Sequence, residues 1–247
     1  MLDGALAGRV KVLARVVLNK FSQQGFTGVL EATAKNLLQE RGQGRKRNSF
    51  DERFDTDTGG IVPLWKLNIQ SPNQDQGNRY QASDPEHIRA AIEALPINPE
   101  EFLYIDIGSG KGLTLLVASE YPFRGIIGVE FSAELDAIAA QNIRKWQAAE
   151  SRCKQIAAVH SDAASYDFPP EATVLFLYNP FGKDVMQRML LNLKDSLTRA
   201  DRTVYVIYSN PTLTDLFDEA DFLERWELSS ELPIKTVVYR HLPKQSA

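Results

Sequence analysis

The chain has few of the residues that build covalent staples and metal centres. Its 247 residues include one cysteine, Cys153, and three histidines, His87, His160 and His241. A single thiol forms no internal disulfide, so nothing demands an oxidising compartment; the expectation is a buried, inert thiol in a cytoplasmic protein. The histidines stand far apart without the paired spacing of a zinc site, so no metal is expected. No run approaches the roughly 20 apolar residues that span a bilayer. Arg9, Lys11 and Arg15 interrupt the apolar core that a signal peptide needs, although an Arg-bearing, acid-poor start leaves a transit peptide open. A large charge of one sign is missing too. The 28 Lys and Arg face 32 Asp and Glu, a net of −4, which neither demands nor excludes a nucleic-acid partner. What remains, 43% hydrophobic and 24% charged residues, is the composition of an ordinary globular protein.

The charge is unevenly placed. The first 50 residues hold nine basic and three acidic side chains. Such a basic arm on an acidic body could recruit an anionic partner such as RNA, DNA or lipid headgroups, or be no more than a solvated helical surface. Val10, Leu13, Val17 and Phe21 fall on one helical stripe; Leu30, Ala34, Leu37 and Leu38 fall on another that ends at Gly42 and Gly44. Residues 42–79 are polar and punctuated, with the length of a lid or linker, and Ile61, Val62, Leu64 and Trp65 are expected to anchor their middle. Residues 1–80 thus read as a helical, basic extension with a lid or linker, and 81–247 as the main domain.

From residue 86 helices and strands alternate. A helix over about 86–95 stops before Pro96. Apolar runs at 102–107, 125–130, 155–160, 173–178, 203–208 and 235–240 read as strands, with helices at 113–120, 133–149 and 183–198. Runs without polar alternation are what strands buried on both faces look like. The pattern predicts an α/β fold: a doubly wound, Rossmann-like, mostly parallel sheet. A seventh strand at Trp226–Ser229 is joined to Thr236–Tyr239 by a link too short for a crossover helix, so that pair is expected as a C-terminal antiparallel hairpin.

The chemistry concentrates where the first of these strands ends, at Asp106-Ile-Gly108-Ser109-Gly110-Lys111-Gly112. A strand feeding a glycine-rich bend and then a helix lets a ligand approach bare backbone and meet helix N-terminal amides. Eighteen residues beyond Gly112, Glu130 ends the next strand, where an acid can take both hydroxyls of a ribose. Two nucleoside-binding classes share this scheme. A dinucleotide enzyme wants a third glycine where Leu113 stands, and the carboxylate of Asp106 would repel a pyrophosphate. A ligand carrying a sulfonium and an ammonium would be attracted by it instead.

The arrangement resembles motif I and the second-strand acid of class I S-adenosylmethionine-dependent methyltransferases, and its DIGSGKG run is similar to that of the non-SET histone-lysine methyltransferase group. The resemblance implies cofactor contacts at Asp106, Gly108, Ser109, Gly110, Gly112, Glu130 and Phe131, and a seven-stranded sheet. It further implies an adenine-reading polar residue after the third strand, supplied here by Asp162 with the Ala163 amide; a surface Asp capping a turn is the plainer reading. Asn179-Pro180-Phe181 looks like a shortened Asn/Asp-Pro-Pro-aromatic motif of amino-group methyltransferases, in which an amide oxygen and a backbone carbonyl hold the target nitrogen. The missing second proline leaves that specificity open, and an Asn-Pro turn ending a strand is the simple alternative. Phe54–Gly60, Ile61-Val62-Pro63 and Arg79-Tyr80-Gln81 resemble segments that precede motif I in uncharacterised bacterial methyltransferases, so Asp57, Thr58 and Tyr80 are expected in a lid over the methionine end of the cofactor. The methyl acceptor, whether protein, nucleic acid or small molecule, is not specified. A nucleoside- or partner-binding module without turnover and an NAD(P)-dependent oxidoreductase stay as alternatives.

Overall fold

The computed structural model describes residues 49–67, 69, 71–147, 151–228 and 231–243. The two N-terminal helical stripes and nearly all of the basic arm lie outside the described residues. The described chain runs through helix α1 (Ser49–Phe54), strand β1 (Ile61–Val62), strand β2 (Tyr80–Gln81), α2 (Pro85–Glu93), β3 (Leu103–Ile107), α3 (Leu113–Ala118), β4 (Gly125–Glu130), α4 (Ala133–Gln147) and β5 (Ile156–His160). It continues with β6 (Thr173–Tyr178), α5 (Lys183–Arg199), β7 (Val204–Ser209), α6 (Thr214–Asp218), β8 (Glu224–Trp226) and β9 (Thr236–His241).

Strands β3 to β9 form one seven-stranded sheet in the order β5-β4-β3-β6-β7-β9-β8. The first five are mutually parallel. β9 runs antiparallel to both β7 and β8, giving the expected hairpin. The central strands are apolar throughout because each face is covered. Tyr104, Val174, Phe176, Tyr205 and Ile207 point to one side, packing with Ile88 and Ile92 of α2, Leu115 and Val117 of α3 and Trp146 of α4. The alternate residues Ile105, Ile107, Leu175, Leu177, Val206 and Tyr208 point to the other, against Val185, Met186, Met189 and Leu193 of α5 and Phe217 of α6. α2 begins cleanly because the Asp84 side chain accepts the Glu86 amide at 3.0 Å and Pro85 supplies a preset φ. β3 lies between β4 and β6, so the chain leaves it to opposite sides and a crevice opens at the strand ends.

Several expectations need correction. The seventh strand lies at Glu224–Trp226 and not at 226–229, and the short helix α6 was not anticipated. The segment before α2, read as irregular, contains the antiparallel pair β1–β2. Of its expected anchors, Leu64 is buried but Trp65 is exposed. Cys153 is buried, and burial raises its thiol pKa. Among the described residues no helix is long and apolar enough to cross a membrane, and no cluster of three metal-ligating side chains occurs.

The described residues of 49–83 form a strap whose first turn is organised by one carboxylate. Asp51, 1% exposed, accepts from the Thr56 hydroxyl (2.8 Å), the Thr58 amide and hydroxyl (both 2.7 Å) and the Gly59 amide (2.8 Å). Burial alone would raise its pKa; the bonds from Thr58, Thr56 and Gly59 overcome that and hold it below the ordinary carboxylate value. This contribution is present at neutral pH and is lost as the pH falls through the lowered pKa. The turn so formed docks on α4, where Asn142 both accepts the Asp57 amide (2.9 Å) and donates to the Asp57 carbonyl (3.0 Å). Asp51→Ala is expected to cost the strap about 3 kcal/mol of local stability. Amide hydrogen exchange checks this: Thr58 and Gly59 should exchange at least tenfold faster while β3 and β6 are unchanged.

Candidate functional site

The crevice at the carboxyl ends of β3, β4 and β6 is roofed by the strap and encloses a cavity of about 350 Å³, within the range of small-ligand sites. Its floor is built by register. Asp106 lies opposite Gly128 of β4 and Phe176 of β6, and Glu130 ends β4 one residue past the Ile107–Val129 pair. Asp106 and Glu130 both line the cavity yet are only 3% and 4% exposed.

Between these acids the chain makes its glycine bend, with Gly108, Gly110 and Gly112 at φ of +83°, +54° and +85°, values that side-chain-bearing residues rarely adopt. The bend is tied to β4. The Gly108 and Ser109 amides donate to the Val129 carbonyl (2.8 and 3.1 Å), and the Gly110 amide donates to Glu130 Oε2 (2.8 Å). The expectation that amides here face a ligand is therefore corrected for Gly108, Ser109 and Gly110: β4 consumes them, and α3, six residues long, begins only after Gly112. The glycines matter as space. A Cβ on Gly108 would lie 2.6 Å from Pro180 Cβ, and one on Gly110 would lie 2.2 Å from the Tyr80 ring. Gly112 does not line the cavity; its missing side chain admits Ala139 of α4, 3.1 Å from where a Cβ would be. Ser109 lines the cavity, but a Cβ on Gly128 would stand 2.7 Å from its Oγ.

Burial dominates the electrostatics. It lifts Asp106 to about 8, against the lowering effect of a Thr114 hydrogen bond and with a further push from the charge of Glu130. It lifts Glu130 to about 7, partly offset by the Ser132 and Gly110 amides. Each Glu130 oxygen accepts one backbone amide, Oε1 from Ser132 at 2.9 Å and Oε2 from Gly110. A carboxylate has about four acceptor positions, so each oxygen keeps one for a ligand hydroxyl. Two desolvated acids in one wall form a site that favours a cation.

Phe131, Asp162 and Ala163 line the cavity from the β4 and β5 side. Asp162 is partly committed elsewhere: its carboxylate accepts from the Ala164 amide (2.8 Å), Asn73 Nδ2 (2.9 Å) and the Ser71 hydroxyl. Burial would raise its pKa, and the bonds from Ser71, Ala164 and Asn73 bring it below the ordinary value. It caps the short turn Ala163–Ser165 and also pins the strap. The Ala163 amide opens that turn, a position with no acceptor within the helix.

The strap closes the roof. Gly77 pairs with Phe181, the Gly182 amide donates to the Gln76 carbonyl (2.6 Å), and a Cβ on Gly77 would lie 2.6 Å from Phe131 Cζ. Tyr80 lines the cavity; Asp57 and Thr58 do not. They fasten the lid from behind: Asp57 Oδ1 accepts from Lys111 Nζ at 2.7 Å, and the Thr58 carbonyl accepts the Tyr80 hydroxyl. Lys111 also donates to the Gly59 carbonyl (3.0 Å) and sits 5.6 Å from the Tyr80 ring centroid.

Asn179, Pro180 and Phe181 line the far end of the cavity, with Asn179 at a left-handed φ of +43°. Each acceptor oxygen of Asn179 and Pro180 already takes one hydrogen bond. Asn179 Oδ1 takes the Thr212 hydroxyl (2.8 Å), its main-chain carbonyl takes Asn78 Nδ2 (2.7 Å), and the Pro180 carbonyl takes the Asn78 amide (2.9 Å). Sequence reasoning missed Asn78, Thr114, Tyr178 and Asn210, all lining the cavity. Only Asn210 carried a readable signal, since Asn210-Pro211 repeats Asn179-Pro180 at the end of the next strand.

No family model matches the chain, and no curated protein matches it in sequence. Solved structures resemble it at low identity. They include a SAM-dependent methyltransferase from Aquifex aeolicus (13% identity, 64% of this chain and 88% of that one, TM-score 0.47). A TehB-like SAM-dependent methyltransferase from Corynebacterium glutamicum aligns with 17% identity over 66% of this chain and 90% of its own, TM-score 0.44. The 23S rRNA methyltransferase ErmE aligns with 14% identity over 66% and 69%, TM-score 0.43.

Proposed function

We propose that the protein is an S-adenosylmethionine-dependent methyltransferase that acts on a nitrogen acceptor. The observation that carries this reading is the pair of buried carboxylates, Asp106 and Glu130, on either side of the glycine bend in a nucleoside-sized cavity. The residues present fit the ligand. Glu130 retains one acceptor position per oxygen for a ribose diol. Asp106 meets the positively charged methionine end, and a cation relieves the cost that holds both acids above their ordinary pKa values. Asp162 and the Ala163 amide stand at the adenine end, and the Phe131 ring borders the same side. Tyr80 covers Gly110 and keeps water from the reacting end.

When bound, S-adenosylmethionine supplies a methyl group as the acceptor nitrogen's lone pair forms the new C–N bond, the C–S pair returns to sulfur and the nitrogen's surplus proton leaves to water. The chain's part is positioning and exclusion of water. The neighbours' names agree with this reading, and their distance gives them no vote on the acceptor. A second reading, a domain that binds a nucleoside without turnover, draws on one observation: Asn78 and Thr212 already donate one hydrogen bond to each acceptor oxygen of Asn179 and Pro180.

Three outcomes are expected in calorimetric titrations with S-adenosylmethionine. Affinity should rise by more than about tenfold from pH 6 to pH 8 and level off about one pH unit higher, because the cation favours the ionised forms of two acids whose pKa values burial lifts to about 7 and about 8; Asp106→Asn should reduce the rise. Glu130→Ala should weaken binding tenfold or more, with Glu130→Gln intermediate, since about 1.5–3 kcal/mol is at stake per charge-assisted bond. Tyr80→Ala should weaken it severalfold; unchanged affinity would remove Tyr80 from the lid. Absence of any S-adenosylmethionine binding by the wild type would overturn the proposal, and binding of NAD(P) in its place would favour an oxidoreductase.

A further inference from the structure

We infer that Asn210, and not the carboxamide of Asn179, presents the hydrogen-bond acceptor to the nitrogen that receives the methyl group. The inference rests on the methyltransferase reading and deepens it.

β6 and β7 end alike, as Tyr178-Asn179-Pro180 and Ser209-Asn210-Pro211. Tyr178 and Ser209 are the last paired residues of the two parallel strands, so the two asparagines leave the sheet side by side. Both are left-handed, with φ of +43° and +48°. Asparagine tolerates that region better than most residues, but a following proline pushes its predecessor towards extended backbone. Two neighbouring residues are thus held against a local preference at the mouth of one cavity, which both line. Strain of this kind persists where surrounding structure imposes it, and it concentrates at ligand clamps.

The two carboxamides differ in what they do. That of Asn179 already takes the Thr212 hydroxyl, and its main-chain carbonyl already takes Asn78 Nδ2 of the strap, so a protein donor fixes the direction of each oxygen. Asn179 is a fastener, joining the β6–α5 loop to the β7–α6 loop and to the roof. Asn210 is the reverse. Its main-chain amide donates to the Lys235 carbonyl at 2.8 Å, fixing the backbone, while its carboxamide is exposed and bonds to no described residue. A pinned backbone carrying an uncommitted amide at the cavity mouth is a prepared contact. Its Oδ1 can accept an N–H from an incoming neutral nitrogen, which turns that nitrogen's lone pair away from Asn210 and into the cavity. The acceptor class that follows is a nitrogen bearing at least one N–H.

The test uses the full chain, methyl-labelled S-adenosylmethionine and unfractionated cell extract, with cofactor affinity measured in parallel. Asn210→Gly removes the carboxamide while keeping the left-handed backbone easy to adopt. It should slow label transfer about tenfold or more with S-adenosylmethionine affinity unchanged within twofold. Asn210→Asp, which keeps the accepting oxygen, should transfer faster than Asn210→Gly. Asn179→Gly, which removes only the bond from the Thr212 hydroxyl and keeps the left-handed backbone, should slow label transfer less than Asn210→Gly, and an equal or larger loss would count against the assignment. Wild-type transfer rates in Asn210→Gly, or an Asn210→Asp variant no better than it, would overturn the assignment and leave the methyltransferase reading standing. A wild type that binds S-adenosylmethionine but labels nothing would remove both.

Discussion

Parallel pairing of β3 with β4 sets two carboxylates into one dry wall, and the rest of the site follows from that constraint. Register alone brings Asp106 opposite Gly128 and leaves Glu130 at the strand tip. Removing both from water is costly, and the structure answers in two ways: backbone amides of Gly110 and Ser132 support Glu130, and a proton is retained on either acid to higher pH than usual. A cation meets these acids best once their protons have left, so its binding is linked to proton release from the wall.

The glycine bend has two neighbours that belong to the protein itself. Pro180 fits against Gly108 and Tyr80 against Gly110, at distances that any side chain on either glycine would violate. The bend is a socket for the β6 loop and the strap as much as a floor for a ligand, and its amides are turned into β4. Closure of the cavity depends on the 76–78 segment threading between Phe131 and Phe181, which is possible only because residue 77 has no side chain.

The sheet was legible from composition by segment. Strands buried on both faces have no polar alternation, so β3, β4, β6 and β7 announced themselves within a residue or two, and the short Pro-containing link gave the hairpin. The positions of Asp106 and Glu130 were equally plain, because strand ends carry their chemistry at fixed spacing from the turn. The strap was not. β1 and β2 are two residues each, too short for any periodicity, and the turn before β1 is organised by Asp51, whose bonding partners are residues that look like ordinary loop. Gly112 misled because its glycine serves helix packing against Ala139 and not the cavity. Asn179 looked like a free carboxamide in sequence; only three dimensions bring Thr212 to it.

Lys111 lies inside the glycine motif yet faces the opposite way, gripping Asp57 and the Gly59 carbonyl while Gly110 beside it borders the hollow. One short bend therefore answers to two masters, an occupant on its inner side and a docked segment on its outer. Linkage is symmetrical: if an occupant tightens the docking of residues 51–60, that docking sharpens the grip on the occupant by the same factor.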